Sequence, residues 1–369
     1  MNHSISRRTF SKLIGVTAAS AAVGSFPIVD FSRRATAAPA IVRLSSNENP
    51  YGPSPDALKA MTEAFSLAWR YPDENADLLT DDLAKLNSVP TEQILLGDGS
   101  GEILKLCAVA FTGRDKKVVV ANPTFESIAR HASVANAEVV KIDLTSDFRH
   151  DLDKMFTATG NAGLVYICNP NNPTASITPK SEISQFLSKV PRTTTVLVDE
   201  AYHHYVDSKD YESVIPLVKD YPNLIVARTF SKIYGMAGLR CGYCVTQSAN
   251  IRAMKTHQVF DSVNIMALAA ATASLKDTEH VARGRKLNSD VRKMACDELE
   301  SLGYRYIPSH ANFMMIDLRR EVRPVISALF SRGVEVGRVF PALPNYMRVT
   351  IGTSSQMKSF MTAFREVMA

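Results

Sequence analysis

Short apolar, β-branched runs recur along the middle of the chain, at Lys117–Ala121, Leu164–Cys168, Thr195–Val198, Leu224–Ala227 and Gly242–Thr246. Runs of this length bounded by polar or turn-forming residues predict strands. Between them Phe125–Asn136, Lys180–Lys189 and the stretch around Ser213–Tyr221 carry the wider spacing of helices or helical turns. Such alternation predicts an α/β domain on a mainly parallel sheet covered on both faces. From about Ile251 the pattern changes to a long helical region, Ala267–Leu302, then a strand at Phe313–Asp317, a helix at Val322–Ser331, a strand at Arg348–Ile351 and a final helix at Ser354–Val367. These predict a smaller α+β domain, with Ile41–Trp69 packed beside it. The expected organisation is a leader over 1–38, an N-terminal segment over 39–70, a large domain over 71–255 and a small domain over 256–369.

The leader comes from a different pattern. Ser6-Arg7-Arg8-Thr9-Phe10-Ser11-Lys12 precedes a moderately apolar run from Leu13 to Gly24, and small residues close it at Ala35-Thr36-Ala37-Ala38. A basic start, an apolar centre and a small-residue end form a signal peptide, and the paired arginines resemble the twin-arginine export signal. Export to the periplasm or the extracellular space follows as the expectation. The leader also explains the charge. Of the formal +5, a surplus of four belongs to residues 1–38, which leaves +1 for the rest. That balance gives no electrostatic reason to expect nucleic acid or a membrane surface as a partner. No later segment reaches the ~20 apolar residues of a spanning helix. With 46% hydrophobic and 21% charged residues, the chain reads as globular rather than disordered.

Candidate chemistry collects where the predicted strands end. In open α/β sheets, ligands sit beyond the carboxyl ends of the strands. Ile94-Leu95-Leu96 runs into Gly97-Asp98-Gly99-Ser100-Gly101, small residues opening a helix, which suits a phosphate. Leu164–Cys168 leads into Asn169-Pro170-Asn171-Asn172-Pro173-Thr174, Thr195–Val198 into Asp199-Glu200-Ala201-Tyr202, and Leu224–Ala227 into Arg228-Thr229-Phe230-Ser231-Lys232. Phosphate donors, an amide, a carboxylate, a phenol and a lysine at successive strand ends point to one enzymatic site. His203 and His204 lack further ligands at metal spacing and read as packed or solvated residues, so no metal is expected. Cys241 and Cys244 fall on opposite faces of a strand and read as structural thiols.

These blocks resemble the signatures of fold-type I pyridoxal-phosphate aminotransferases. The match runs from Leu44-Ser-Ser-Asn-Glu-Asn-Pro-Tyr-Gly-Pro-Ser54 to Met347-Arg-Val-Thr-Ile-Gly352 and is closest to the histidinol-phosphate aminotransferase branch. The resemblance implies a transaminase that moves an amino group from an L-amino acid to a 2-oxo acid, with pyridoxal 5'-phosphate as cofactor and aromatic or histidinol-phosphate-like compounds among its substrates. It implies that Lys232 takes the cofactor as a Schiff base and then shuttles a proton. Asp199 would pair with the pyridine nitrogen, and Tyr202 and Asn172 with the phenolate oxygen. Phe125 would stack on the ring. Ser100, Gly101, Ser231, Arg240 and Thr229 would hold the phosphate. Tyr71 would reach the phosphate of a neighbouring subunit, which implies a homodimer with shared sites. Arg348 would clamp the substrate's α-carboxylate bidentately, and Tyr51 and Asn312 are candidates for the substrate pocket.

The chain departs from the family pattern in two places. Thr174-Ala175 stands where Thr-Gly is usual, so a different local turn is expected. The branch usually has an arginine directly after Gly-Val-x-Val; here Gly337 follows Gly333-Val334-Glu335-Val336, and Arg338 comes one residue late. Strand alternation would send Arg338 to the opposite face. Other outcomes of the same cofactor chemistry, namely decarboxylation, racemisation, elimination and oxidative deamination, stay open at this level, as does a non-catalytic cofactor-binding module.

Overall fold

The computed structural model describes residues 41–369; the twin-arginine pattern and the rest of 1–40 lie outside the described residues. The strands, in chain order, are β1 (Val42–Leu44), β2 (Ile94–Gly97), β3 (Lys117–Asn122), β4 (Val139–Asp143), β5 (Ala162–Cys168), β6 (Thr195–Asp199), β7 (Leu224–Thr229), β8 (Gly242–Thr246), β9 (Arg305–Ile307), β10 (Phe313–Asp317), β11 (Val334–Val336) and β12 (Tyr346–Thr350). Seven of them form one sheet in the order β2-β8-β7-β6-β5-β3-β4. β8 is antiparallel to both of its neighbours, and every other pair in the sheet is parallel. The fold is therefore mainly parallel α/β, the architecture that the resemblance implies.

Burial on both faces follows from the period of two along each strand. Leu164, Tyr166 and Cys168 of β5 join Leu197 of β6 and Ile225 and Ala227 of β7 in one apolar cluster. Val165 and Ile167, Val196 and Val198, and Leu224 and Val226 join another. The first face is covered by the helices Gly99–Phe111, Ser127–Val134 and Ser248–Lys255, the second chiefly by Asp73–Asn87, Lys180–Lys189 and Ile265–Lys276. In the C-terminal part, β12-β10-β9 form an antiparallel sheet, and β1 pairs in parallel with β11. A separate apolar cluster lies there, fed by β10, β12 and the helices Val322–Ser331 and Ser354–Met368.

Two expectations change. The region Ala267–Leu302 is two helices, Ile265–Lys276 and Thr278–Ser301, broken at Asp277. The Asp277 carboxylate accepts from the His280 N–H at 3.0 Å and so caps the second helix, an arrangement that competes with unbroken helix at that residue. The segment 39–70 also divides: β1 goes to β11, while the helix Pro55–Ala64 packs on Ile265–Lys276. The helix Asp73–Asn87 and the edge strand β4 were not foreseen. In β4 the pattern Val-Val-Lys-Ile-Asp is too exposed to give a clear apolar run.

Gly242 opens β8 against the start of the helix Gly99–Phe111. A Cβ there would lie 2.3 Å from the Ser100 nitrogen and 2.6 Å from the Gly99 carbonyl carbon. Gly242→Ala therefore forces the helix start off the sheet, at a cost of about 1–3 kcal/mol. A lowered melting temperature of the purified variant, together with weaker retention of cofactor, checks this.

Candidate active site

The carboxyl ends of β5, β6 and β7 open into one cavity of about 770 Å³. Its walls include Ser100, Gly101, Phe125, Asn172, Asp199, Tyr202, Thr229, Ser231, Lys232, Arg240 and Arg348. Three sequence candidates lie elsewhere. Tyr71 is 80% exposed at the surface. Tyr51 sits on the Asn49–Gly52 turn, outside the cavity wall. Asn312 is buried, and its amide donates to the carbonyls of Asn47 and Glu48 at 3.1 and 3.2 Å. Asn312 thus props up the strand-to-turn segment that roofs the site and does not line the pocket.

Asp199 ends β6 on the same face as Tyr166 of β5. The Tyr166 hydroxyl donates to Asp199 Oδ2 at 2.9 Å, and the Ala201 N–H donates to Oδ1 at 3.1 Å. Burial pushes the carboxyl up to about 6, against the pull of the Tyr166 bond. Lys232 Nζ donates to the Asn47 carbonyl at 3.1 Å and lies 5.5 Å from the Tyr202 ring centroid. Desolvation, reinforced by the nearby Arg348 guanidinium, lowers its amine from 10.5 to about 8. The Tyr202 hydroxyl accepts from Asn47 Nδ2 at 3.1 Å and from Asn172 Nδ2 at 3.5 Å. Asn172 turns its carbonyl to Arg348, whose Nη1 donates to it at 2.8 Å while Nη2 donates to the Ser45 carbonyl at 2.8 Å. The Arg348 Nε is buried beside Gly337 and has no hydrogen-bond partner among the described residues.

The opposite end of the cavity is built for an anion. The helix Gly99–Phe111 presents its N-terminus there, and Ser231 and Arg240 flank it, with Arg240 Nη1 at 3.3 Å from Ser231 Oγ. Gly99 adopts φ +71°, a conformation that L side chains rarely adopt, and a Cβ at this residue would stand 2.1 Å from Arg240 Nη2, so a side chain there would push the guanidinium out of place. Thr229 is bound within the protein, donating to Ser231 Oγ at 3.0 Å and accepting from the Ser231 N–H at 3.1 Å. It positions Ser231. An anion cradle, a buried carboxylate, a partly neutral amine and an aromatic face at Phe125 are the donor set that pyridoxal phosphate requires, so the residues present fit that group.

Both departures from the family pattern resolve differently from expectation. Ala175 takes φ +60°, the left-handed conformation a glycine would adopt, so the turn is kept at a strain of about 1 kcal/mol. Its N–H still donates to the Asn171 carbonyl at 2.7 Å. Arg338 does not face away: β11 stops at Val336, alternation ends with it, and Arg338 lines the cavity beside Arg348. His203 and His204 pack edge-on against each other at 5.1 Å, and among the described residues no group of three or more His, Cys, Asp or Glu side chains is placed to hold a metal ion. Cys241 and Cys244 are free and buried.

Asn47, Ser45, Tyr166 and Glu335 also belong to the site, and no motif of their own marks them in the sequence. Asn47 lay inside a recognised block, and asparagine is one of the few residues that accepts a left-handed turn, here φ +54°. Tyr166 was hidden in an apolar run, where only its place on the same strand face as the residue beside Asp199 gives it away.

The family model for aminotransferase class I and II matches residues 39–364. The histidinol-phosphate aminotransferase of Moorella thermoacetica is 41% identical over 333 residues, covering 89% of this chain and 86% of that protein. Histidinol-phosphate aminotransferase 2 of Pseudomonas fluorescens strain Pf0-1 is 38% identical over 360 residues, 96% of each chain. The crystal structure of histidinol-phosphate aminotransferase from Sinorhizobium meliloti in complex with pyridoxal-5'-phosphate superposes with a TM-score of 0.83 at 28% identity, covering 89% of this chain and 91% of that one. The chain belongs to the aminotransferase class I and II family, and it is a pyridoxal-phosphate-dependent aminotransferase.

Proposed function

We propose that this enzyme moves an amino group between an L-amino acid and a 2-oxo acid, with aromatic or histidinol-phosphate-like amines among its substrates, and that it works as an exported homodimer. The observation that carries the reading is the meeting of Lys232, Asp199 and Arg348 in one cavity. Pyridoxal phosphate, when bound, supplies the electron sink that lets the Cα–H bond of an amino acid ionise. Asp199 would hold the pyridine nitrogen protonated, and Tyr166 fixes the carboxylate's direction through its hydrogen bond. Ser100, Gly101, Ser231 and Arg240 would bind the phosphate, and Phe125 would cover one ring face. Tyr202 and Asn172 would donate to the phenolate oxygen. Lys232, freed as an amine, would serve as the general base and acid that moves the substrate's Cα proton. Arg348 orients the substrate through its acid group, carboxylate or phosphate.

The lowered amine of Lys232 has a direct consequence. Only the neutral amine attacks an aldehyde, so cofactor capture by the apo-protein should rise with pH through a midpoint near 8, about a tenth of the plateau rate being reached at pH 7. Stopped-flow absorbance of the apo-protein mixed with pyridoxal phosphate measures it, and a midpoint near 10.5 would refute the burial argument. Lys232→Ala should lose amino transfer by a factor on the order of 10²–10⁴ or more, read as single-turnover rate with cofactor present.

Tyr71, Trp69 and Phe260 are large apolar side chains left 80%, 78% and 83% exposed in the single chain, which supports a covering subunit. Tyr71→Phe should speed cofactor loss from the dimer several-fold without changing its sedimentation. For export, the folded route implied by Arg7 and Arg8 predicts that Arg7→Lys together with Arg8→Lys leaves the enzyme inside the cell. Activity in periplasmic and cytoplasmic fractions decides this.

A further inference from the structure

Beyond Arg348 the cavity continues between apolar side chains, Phe330 and Phe340 among them, and two charged ones, Glu335 and Arg338. The two charges are in different states. Arg338 is already matched: its Nη2 lies 2.8 Å from Glu126 Oε2, and its guanidinium stacks on the Phe340 ring at 4.3 Å. Glu335 is not. It is the middle residue of β11, with Val334 and Val336 buried on the other face, and its side chain has one hydrogen bond among the described residues, from Ser45 Oγ to Oε1 at 2.9 Å. It pairs with no basic side chain among the described residues. Ser45 also accepts from Arg348 through its carbonyl, so the acid-group clamp and the free carboxylate hang on the same residue.

The adjoining position leaves room for this arrangement. A Cβ at Gly337 would lie 2.8 Å from the Arg348 carbonyl oxygen and 3.2 Å from Arg348 Nε, so no side chain enters the cavity from there. A substrate held by its acid group at Arg348 therefore meets a carboxylate and apolar walls, while the nearby Arg338 guanidinium is turned to Glu126.

We infer that Glu335 is a specificity-determining residue and that the preferred amino donor carries a positively charged side chain, an ammonium, guanidinium or imidazolium. The inference rests on the aminotransferase reading, in which Arg348 holds the donor's acid group. A carboxylate kept partly from water beside apolar side chains gains from a cationic partner, and the walls cover the methylenes of such a side chain. An acidic donor is repelled, and a neutral aromatic one strips water from Glu335 without replacing it.

The test uses the cofactor-loaded full chain. The half-reaction is followed by cofactor absorbance with one donor at a time: arginine, lysine and ornithine against glutamine, phenylalanine and glutamate. Wild-type kcat/KM should be highest among the cationic donors. In Glu335→Gln the ratio of kcat/KM for cationic over neutral donors should fall by about tenfold or more, mostly through KM, and Glu335→Asp should restore part of it. The inference is overturned if neutral or acidic donors lead in the wild type, or if Glu335→Gln slows all donors by one common factor, which would mark a purely structural role through Ser45. If no donor of any charge shifts the wild-type spectrum, the aminotransferase reading itself fails, a result distinct from a wrong preference.

Discussion

One buried asparagine ties the active site together. The Asn47 N–H donates to Thr350 Oγ1 at 2.9 Å, its carbonyl accepts from Lys232 Nζ and Asn312 Nδ2, and its side chain donates to the Tyr202 hydroxyl. Thr350 Oγ1 returns a bond to Asn47 Oδ1 at 3.3 Å. With the residue only 2% exposed, none of these groups can turn to water instead. Partners from four separate stretches of chain must then arrive together, because a partly satisfied buried network is worse than an apolar one. The orientation of the lysine is thus set by the docking of the N-terminal segment onto both sheets. The left-handed backbone at Asn47 allows the carbonyl and the side chain of one residue to face two different partners.

The sheet supplies the second constraint. At the end of β6 the chain places Asp199 and Glu200 on opposite sides, and each acid meets a different fate. Asp199 faces the cavity and is held by Tyr166 and the Ala201 N–H. Glu200 turns away and forms a buried pair with Arg228, whose Nη2 lies at 2.7 Å, while also accepting from Ser213 Oγ and the Val214 N–H. The pair is closed by its own hydrogen bonds, which is the condition under which a buried ion pair can offset its desolvation. Burial acts on Asp199 and Lys232 in opposite senses, raising the acid and lowering the base, so each is drawn toward its neutral form. A partly neutral lysine is a competent nucleophile at moderate pH.

Local pattern made the central fold legible. The runs at Leu164–Cys168 and Gly242–Thr246 are buried on both faces, so their apolar continuity is itself the strand signal. The helices Lys180–Lys189 and Val322–Ser331 announce themselves by period and by the residues that end them. Edge strand β4 carried no such signal. The break at Asp277 was visible as a residue type but outweighed by the periodicity on either side. The cavity residues at strand ends were legible because chemistry there follows from topology. Tyr51 and Asn312 lie outside the cavity wall: a turn and a buried amide near the site satisfy backbone groups, and sequence distance does not reveal whether a side chain looks into a cavity or props its wall.

The distal pocket shows why register matters more than residue type. Reading Gly-Val-Glu-Val-Gly-Arg as continuous strand puts Arg338 on the wrong face and leaves Glu335 unremarked. The ladder with β1 closes at Val336, where Leu44 is its partner, and the chain then passes so near Arg348 that Gly337 N donates to the Arg348 carbonyl at 2.9 Å. That close approach needs a residue without a side chain, and it frees Arg338 from alternation. The arginine swings to Glu126 and Phe340, and Glu335 keeps the inward direction that β11 gives it. A one-residue shift in where the strand stops therefore changes which charge remains unmatched in the pocket.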